Sequence, residues 1–269
     1  MTHAAFQAIQ DYRDAASALV QQYTPLSAEL IRLSAEASAS DTPAYSHDTP
    51  VVYNTAWDAI TEADDIQLIV VGDNPGKEEQ LASRRAYLVG QSGRVAEGFF
   101  RRNPSLGVDF RRNSLITNKT PIHTAKTKHL KYLAAKGSPA LVQALEESQR
   151  EMARLTARLH RRLFAEAGTK LYLVGYAELK GRGLFLPYRD ELARSYEDDA
   201  AAWDVVYVYQ HFSMNRFQID LKEYMECMAA RGGDGTPGPD GNAAGQGGIA
   251  AALRELGLRH KGDIWPDGR

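Results

Sequence analysis

The chain has 269 residues, 43% of them hydrophobic and 25% charged, and its formal net charge is −2, so it can bury a sizeable globular core. No apolar run approaches the roughly 20 residues that span a bilayer, and the N-terminus lacks the basic-then-apolar pattern of a signal peptide, so we expect a cytoplasmic protein without a membrane segment. The one cysteine, Cys227, excludes an intrachain disulfide and any all-cysteine zinc or iron–sulfur site.

The first part of the chain predicts helices. Apolar residues recur at helical spacing, and Thr24 and Pro25 are typical of a helix cap followed by a first-turn proline. A polar, proline-containing loop and a short element around Trp57 follow. We expect an N-terminal helical extension packed on the core over residues 1–63, made of a helix at 4–23, a second helix holding Leu30, Ile31 and Leu33, a loop at 39–50 and the short element at 51–63.

In the centre, short β-branched runs alternate with helical segments. This alternation is typical of parallel strands joined by helical crossovers. We therefore predict an α/β domain over residues 64–231, with three α/β/α layers and a central, mainly parallel four-stranded sheet. The predicted strands are residues 66–71, 114–117, 171–174 and 205–209, and the predicted helices are residues 93–101, a long helix from Ser138 and Pro139 to Leu163, one within 178–194, and 219–230.

The end of the chain, residues 232–269, is predicted to be a linker and a tail. Gly and Pro dominate residues 231–248, which indicates a flexible linker. After it we expect one short helix over residues 249–256, and then an exposed Trp265.

Positive charge is concentrated in one stretch. Nine Lys and Arg residues lie from Arg101 to Lys136, against the single acid Asp109. Local charge, rather than net charge, attracts a polyanion, so this stretch predicts a surface that faces phosphates. The alternative is an ordinary solvated face.

Two loops carry the clearest chemical signal. Gly72-Asp73-Asn74-Pro75-Gly76 follows the first predicted strand, and His211-Phe212-Ser213 follows the fourth. Because ligands bind at the carboxyl ends of the strands in open α/β sheets, these loops are expected to face one pocket.

Four segments in chain order resemble the uracil-DNA glycosylase superfamily over roughly residues 66–230. The resemblance mixes branches: Asn74 stands at the catalytic asparagine position of the mismatch-specific and single-strand-selective branches, whereas an acid at the position of Asp73 is typical of the thermophile-type branch. The iron–sulfur cluster of that branch needs four cysteines, which this chain lacks. Phe212 replaces the proline of the His-Pro-Ser motif. The four segments are Gly72–Gly76, Tyr87-Leu-Val-Gly90-Gln-Ser-Gly93, Leu115-Ile-Thr-Asn118 and Val208-Tyr-Gln-His211-Phe-Ser213.

The resemblance implies base flipping and hydrolysis of an N-glycosidic bond. Asp73 or Asn74 would position water at the sugar, and His211 would stabilise negative charge on the departing base. Asn118 would read the polar edge of a uracil-type base, and Tyr87 would stack on that base. The remaining expected substrate-binding residues are Gly72, Pro75, Gly76 and Ser213, and the expected DNA contacts are Lys119, Lys126, Met214, Asn215 and Arg216.

Structural alternatives stay open for these residues. Asp73 can cap the turn or pair with a neighbouring cation, Asn74 can tolerate an unusual backbone before Pro75, and Tyr87 can belong to the core. The six-residue spacing of His123 and His129 fits no common zinc pattern, so we expect no metal and no cofactor. Covalent capture of the sugar by His123 is a minor alternative.

The sequence therefore predicts a monofunctional DNA glycosylase-like enzyme of base excision repair whose partner is DNA with a damaged base. One alternative is a non-catalytic nucleic-acid-binding member of the same fold. Another is a hydrolase of small nucleosides or nucleotides.

Overall fold

The computed structural model describes residues 1–231, 246–266 and 268. One sheet lies at its centre, and every pair of neighbouring strands in it is parallel, in the order β2-β1-β3-β4. The strands are buried almost throughout, which requires cover on both faces and confirms the predicted three-layer α/β/α class. The strands are β1 (Leu68–Gly72), β2 (Ser114–Asn118), β3 (Lys170–Val174) and β4 (Val206–Tyr209).

Helices precede, connect and follow these strands. The longest, α5, begins where the Ser138 hydroxyl accepts the backbone N–H of Leu141 and Pro139 occupies the first turn, and it ends at Gly168, whose backbone is left-handed. Among the described residues no helix is both long enough and apolar enough to cross a membrane. The helices are α1 (His3–Tyr23), α2 (Ser27–Ser38), α3 (Gln91–Arg102), α4 (Leu130–Lys136), α5 (Pro139–Ala167), α6 (Leu186–Arg194), α7 (Ala200–Trp203), α8 (Arg216–Arg231) and α9 (Gln246–Ile264).

The N-terminal helices share the hydrophobic core of the sheet. Helix α1 packs along α5, and the hydroxyl of Tyr12 hydrogen-bonds the hydroxyl of Thr117 on β2 at 2.5 Å. Residues 1–63 are thus in direct contact with the layer that carries the strands.

The C-terminal tail differs from its prediction. Helix α9 spans 19 residues and packs against β4, and Trp265 is buried instead of exposed. Glycine disfavours helix, which is why the prediction ended this helix early. Gly257 nevertheless faces the sheet, where a Cβ atom would lie 2.7 Å from Cβ of Tyr207, so close packing outweighs propensity. Residues 232–245, most of the predicted linker, lie outside the described part of the chain.

Side chains cover both edge strands. On β2, the carbonyl of Ile116 accepts hydrogen bonds from the amide of Asn54 at 3.0 Å and the indole of Trp57 at 2.8 Å. On β4, the carbonyl of Val208 is bonded to Nδ1 of His260 in α9 at 3.2 Å. Covered edges protect a sheet from pairing with another chain. The side chains that cover the edges leave the carboxyl ends of the strands open, and the loops separate from one another there.

Candidate functional site

All four strands deliver a residue to one edge of the sheet, beside a cavity of about 410 Å³. Asp73 follows β1, Asn118 ends β2, Gly175 follows β3 and His211 lies two residues beyond β4. The cavity wall contains eight of the predicted site residues, which are Asp73, Asn74, Gly76, Asn118, Lys126, His211, Ser213 and Met214.

Asp73 lies at the floor of this cavity in a buried ion pair. Its Oδ1 atom lies 2.7 Å from Nζ of Lys119, and its Oδ2 atom accepts only a long hydrogen bond, 3.4 Å, from the hydroxyl of Thr127. Burial raises the pKa of Asp73, but the charge and the hydrogen bond of Lys119 outweigh burial and hold the pKa below its ordinary value. Asp73 is therefore an ionised carboxylate in the cavity wall, and among the described residues its Oδ2 atom has only this long hydrogen bond.

Lys119 was expected to contact DNA, and this prediction is wrong because its side chain is fully buried. Its ammonium donates to the carboxylate of Asp73 and to the carbonyls of Gly72 and Val174. Burial lowers the pKa of Lys119, and the charge of Asp73 opposes that change. Three acceptors around one nitrogen require all three protons of the charged form. Lys119 thus neutralises and positions Asp73.

Gly175 makes room for this ion pair and was missed in the sequence. Its backbone is left-handed, with φ of 96°, and a Cβ atom there would lie 2.2 Å from Oδ1 of Asp73 and 3.1 Å from Nζ of Lys119. Only glycine meets both requirements. A glycine directly after an apolar strand was the available signal.

Asn74 is held by the loop that follows β2. Its Nδ2 atom donates to the hydroxyl of Thr124 at 2.9 Å and, more weakly, to the carbonyls of Pro75 and Ile122. No described residue donates to its Oδ1 atom. Asn74 therefore offers a fixed acceptor at the cavity, which is what orienting a water molecule requires.

His211 is fixed in one tautomer by Ser213. The backbone N–H of Ser213 lies 3.0 Å from Nδ1 of His211, and the hydroxyl of Ser213 lies 2.8 Å from the same nitrogen. A backbone N–H can only donate, so Nδ1 is an acceptor and the ring proton resides on Nε2. Burial lowers the pKa of His211, which favours this neutral form. No hydrogen bond to Nε2 exists within the described residues, so Nε2–H is a donor that is ready for a ligand.

Asn118 lies across the end of β1. A Cβ atom on Gly72 would lie 2.4 Å from Oδ1 of Asn118, so the glycine leaves space for this amide. Asn118 is 1% exposed, and its Nδ2 atom has no hydrogen-bond partner in the described part of the chain. A buried amide donor without a partner is costly, which indicates a place where a ligand supplies the acceptor.

Glu79 is a second cavity residue that the sequence reading missed. Its two carboxylate oxygens accept the backbone N–H groups of Gly76 and Leu88, both at 3.1 Å, and so connect the two ends of the intervening loop. Burial raises the pKa of Glu79 to about 7, against the opposing effects of those N–H groups and of the neighbouring Asn118 amide, which does not complete a hydrogen bond to the carboxylate. Nothing in the local sequence distinguishes Glu79 from Glu78.

Tyr87 does not line the cavity, so the prediction that it stacks on a base is wrong in this structure. Its ring is buried edge-on against Trp57, with centroids 5.6 Å apart, and its hydroxyl donates to the carbonyl of Val52 at 2.6 Å. The neighbouring Leu88 lines the cavity instead, and its φ of 51° turns the chain at that point. The core interpretation of Tyr87 is therefore confirmed.

The segment after His211 is strained and exposed. Met214 and Asn215 both have left-handed backbones, with φ of 53° and 57°, and the Met214 side chain is 76% exposed at the cavity. Such conformations cost about 1–3 kcal/mol each in residues other than glycine. Arg216 follows at the start of α8 and is exposed. An exposed apolar side chain on a strained turn fits a part that contacts a ligand.

His123 is structural. It is fully buried, its Nδ1 atom bonds the carbonyl of Pro75 at 2.7 Å, and its Nε2 atom bonds the hydroxyl of Tyr45 at 3.1 Å. Both nitrogens are occupied, so His123 holds the Asp73–Gly76 turn in place and is not positioned to capture a sugar.

Comparisons of the chain with protein-family models, with curated proteins and with solved structures gave no match. The functional proposal therefore depends on the residues of the cavity.

Proposed function

We propose that the chain is a DNA glycosylase that flips a uracil-type base into the cavity and hydrolyses its N-glycosidic bond. The observation that carries the proposal is the convergence of Asp73, Asn74, Asn118 and His211 on one cavity at the carboxyl ends of the strands. An ionised carboxylate, a fixed amide acceptor, a buried amide donor without a partner and a neutral imidazole donor are the groups that this reaction uses.

Bond cleavage places positive charge on the sugar and negative charge on the departing base. Asp73 and Asn74 line the cavity, and their available acceptors, Oδ2 of Asp73 and Oδ1 of Asn74, orient the attacking water and favour the sugar cation. Nε2–H of His211 donates to the base oxygen on which negative charge develops. Preorganised donors of this kind are often the largest contribution to catalysis.

Base recognition falls to Asn118 and Glu79. The Nδ2 atom of Asn118 supplies a donor for a base carbonyl. Glu79, which exchanges its proton near neutral pH, accepts from a ring N–H when ionised. The exposed Met214 is suited to fill the gap that a flipped base leaves in a duplex. Asn215 and Arg216 would then lie beside the DNA backbone.

The test is release of free base from labelled oligonucleotides that carry uracil, hypoxanthine or xanthine, in single- and double-stranded form. His211→Ala is expected to lower the single-turnover rate roughly 10²–10³-fold, the usual cost of losing such a donor. An Asp73→Ala/Asn74→Ala double variant is expected to be at least as slow. His3→Ala, at an exposed position near the start of α1, is the matched control. Rates that His211→Ala leaves unchanged would remove His211 from the reaction.

The non-catalytic nucleic-acid-binding alternative is favoured by one observation, the neutralisation of Asp73 by Lys119. A carboxylate whose charge is already paired stabilises a sugar cation less. This alternative predicts salt-sensitive DNA binding without release of any base from the panel. Base release from free nucleosides alone would instead support a nucleoside hydrolase.

A further inference from the structure

The loop after α2 places the carboxylate of Asp41 against the segment that borders the cavity. Oδ2 of Asp41 accepts from Nζ of Lys128 at 2.6 Å and from Nζ of Lys126 at 3.2 Å. Oδ1 accepts from Nε2 of His129 at 3.0 Å and from the hydroxyl of Thr42 at 2.9 Å. Two lysines and an imidazole from one short segment therefore enclose a single anion.

The chemistry of this cluster also suits a phosphodiester. A carboxylate and a phosphodiester each share one negative charge between two terminal oxygens, and lysine ammonium groups bind phosphate as point charges. Because the Asp41 carboxylate only accepts, Nε2 of His129 carries a proton and is a third donor. Nothing in the donor set requires a carboxylate.

The position of the cluster fits nucleic acid entering the cavity. Lys126 and its neighbours Thr124 and Thr127 line the cavity, so the cluster lies directly beside it. The side chains of Lys126 and Lys128 are 43% and 64% exposed, against 24% for Asp41. The lysines are thus accessible from solvent while Asp41 is bound to them.

Asp41 neutralises two lysines of the basic stretch that was expected to face phosphates. Within the stretch from Arg101 to Lys136, Lys119 is buried with Asp73, and Lys126 and Lys128 both pair with Asp41. Asp41 comes from outside that stretch, so the pairing forms only in the folded chain. It masks Lys126, which lines the cavity, and Lys128, two residues further along the chain.

We infer that Lys126, Lys128 and His129 form a binding site for a nucleic-acid phosphate, and that Asp41 occupies this site until a phosphate displaces it. The inference rests on the proposed function for the identity of the anion. Asp41 then acts as an internal competitor that lowers affinity for nucleic acid and makes binding depend on displacement of the loop.

The test measures binding of labelled, undamaged single- and double-stranded oligonucleotides, with inorganic phosphate as a separate competitor. Asp41→Asn is expected to bind several-fold more tightly than wild type. The slope of log K against log salt should stay near that of wild type, because the same phosphate is bound once Asp41 has been displaced. Asp65→Asn, which removes the same charge from an exposed residue just before β1, is the control for a general charge effect.

A Lys126→Gln/Lys128→Gln variant tests whether the gain in binding acts through these two lysines or through the net charge of the protein. It is expected to bind more weakly, and adding Asp41→Asn to it should give no further gain. Equal gains from Asp41→Asn and Asp65→Asn would overturn the inference, as would a gain that survives without the lysines. Asp41→Ser serves if Asp41→Asn does not fold.

Excision plays no part in this assay, since the oligonucleotides are undamaged. Failure to release a base would overturn the proposed reaction and leave the phosphate site standing. Failure of every variant to bind oligonucleotide would overturn the phosphate site whatever the excision assay shows.

Discussion

Acids pair with lysines at two places, the floor of the cavity and the cluster of Asp41 with Lys126 and Lys128 at its rim, and the two places differ in exposure to solvent. At the floor, Asp73 and Lys119 are both buried and are joined at 2.7 Å. At the rim, Asp41 meets Lys126 and Lys128, whose side chains reach solvent. A buried charge that loses its partner is left in a medium that solvates it poorly, whereas an exposed charge is rehydrated. The floor pair is therefore permanent structure, and the rim cluster can exchange its anion.

Glu79 adds a third arrangement, a buried acid without a lysine. Its pKa is raised to about 7, whereas the pKa of the equally buried Asp73 lies below its ordinary value. The difference arises from the lysine, since burial alone raises both. Within one cavity, the position of a cation decides which carboxyl is ionised.

The largest expected effect comes from breaking the floor pair. Lys119→Met leaves the carboxylate of Asp73 buried and unpaired, so we expect the free energy of unfolding to fall by about 3–5 kcal/mol. Adding Asp73→Asn removes the stranded charge and should recover much of that loss. Urea unfolding of both variants measures this, with Lys131→Met at an exposed position of α4 as the control. Equal losses in the single and double variants would show that the charge pair is not the reason.

An intermediate effect is expected from Glu79 and depends on pH. Because its pKa is raised on folding, from 4.5 to about 7, the folded state holds the proton more tightly than the unfolded state. Stability from this group is complete below the unfolded pKa and is lost as pH rises through the folded pKa, by about 3 kcal/mol in total.

Glu79→Gln removes this dependence. The difference in unfolding free energy between the variant and wild type should therefore change in favour of the variant from about pH 5 to about pH 8. Denaturant unfolding at the two pH values measures it. A difference that stays constant with pH would mean that Glu79 is ionised throughout.

The smallest expected effect is on stability at the rim. Asp41→Asn breaks the ion pairs to two exposed lysines and keeps an oxygen that can accept from His129, so we expect the free energy of unfolding to change by less than about 1 kcal/mol. Thermal unfolding of Asp41→Asn and Lys119→Met, measured side by side, compares the two losses of stability directly. A loss as large as that of Lys119→Met would make the rim cluster structural and remove the distinction from the floor.

Much of the architecture was readable from local patterns. Strand and helix order, and the placing of Asp73, Asn118 and His211 at strand ends, follow from short β-branched runs that alternate with helical periodicity. Confirmation of the α/β class shows that these patterns suffice to assign the class, whereas the strand order β2-β1-β3-β4 was not predicted. The length of α9 was not readable, because Gly257 is favourable in a helix only through its close packing against β4.

The site itself was only partly readable. Lys119 and Lys126 look equivalent along the chain, yet one is buried beneath Asp73 and the other lines the cavity. Tyr87 was predicted to stack on a base, but the next residue along the chain, Leu88, lines the cavity instead. Such distinctions depend on which way a loop turns, and left-handed residues such as Leu88 and Met214 set that direction without a glycine to mark it.

By itself the sequence determined the alternation of strands and helices, the polar loops after β1 and β4, and the excess of positive charge between Arg101 and Lys136. Only the tertiary structure decided which of those charges is available. Burial and pairing depend on segments that are far apart in the chain, as with Asp73 and Lys119 or Asp41 and Lys128. The free energy of a charge depends on its surroundings in space, and a linear pattern does not contain those surroundings.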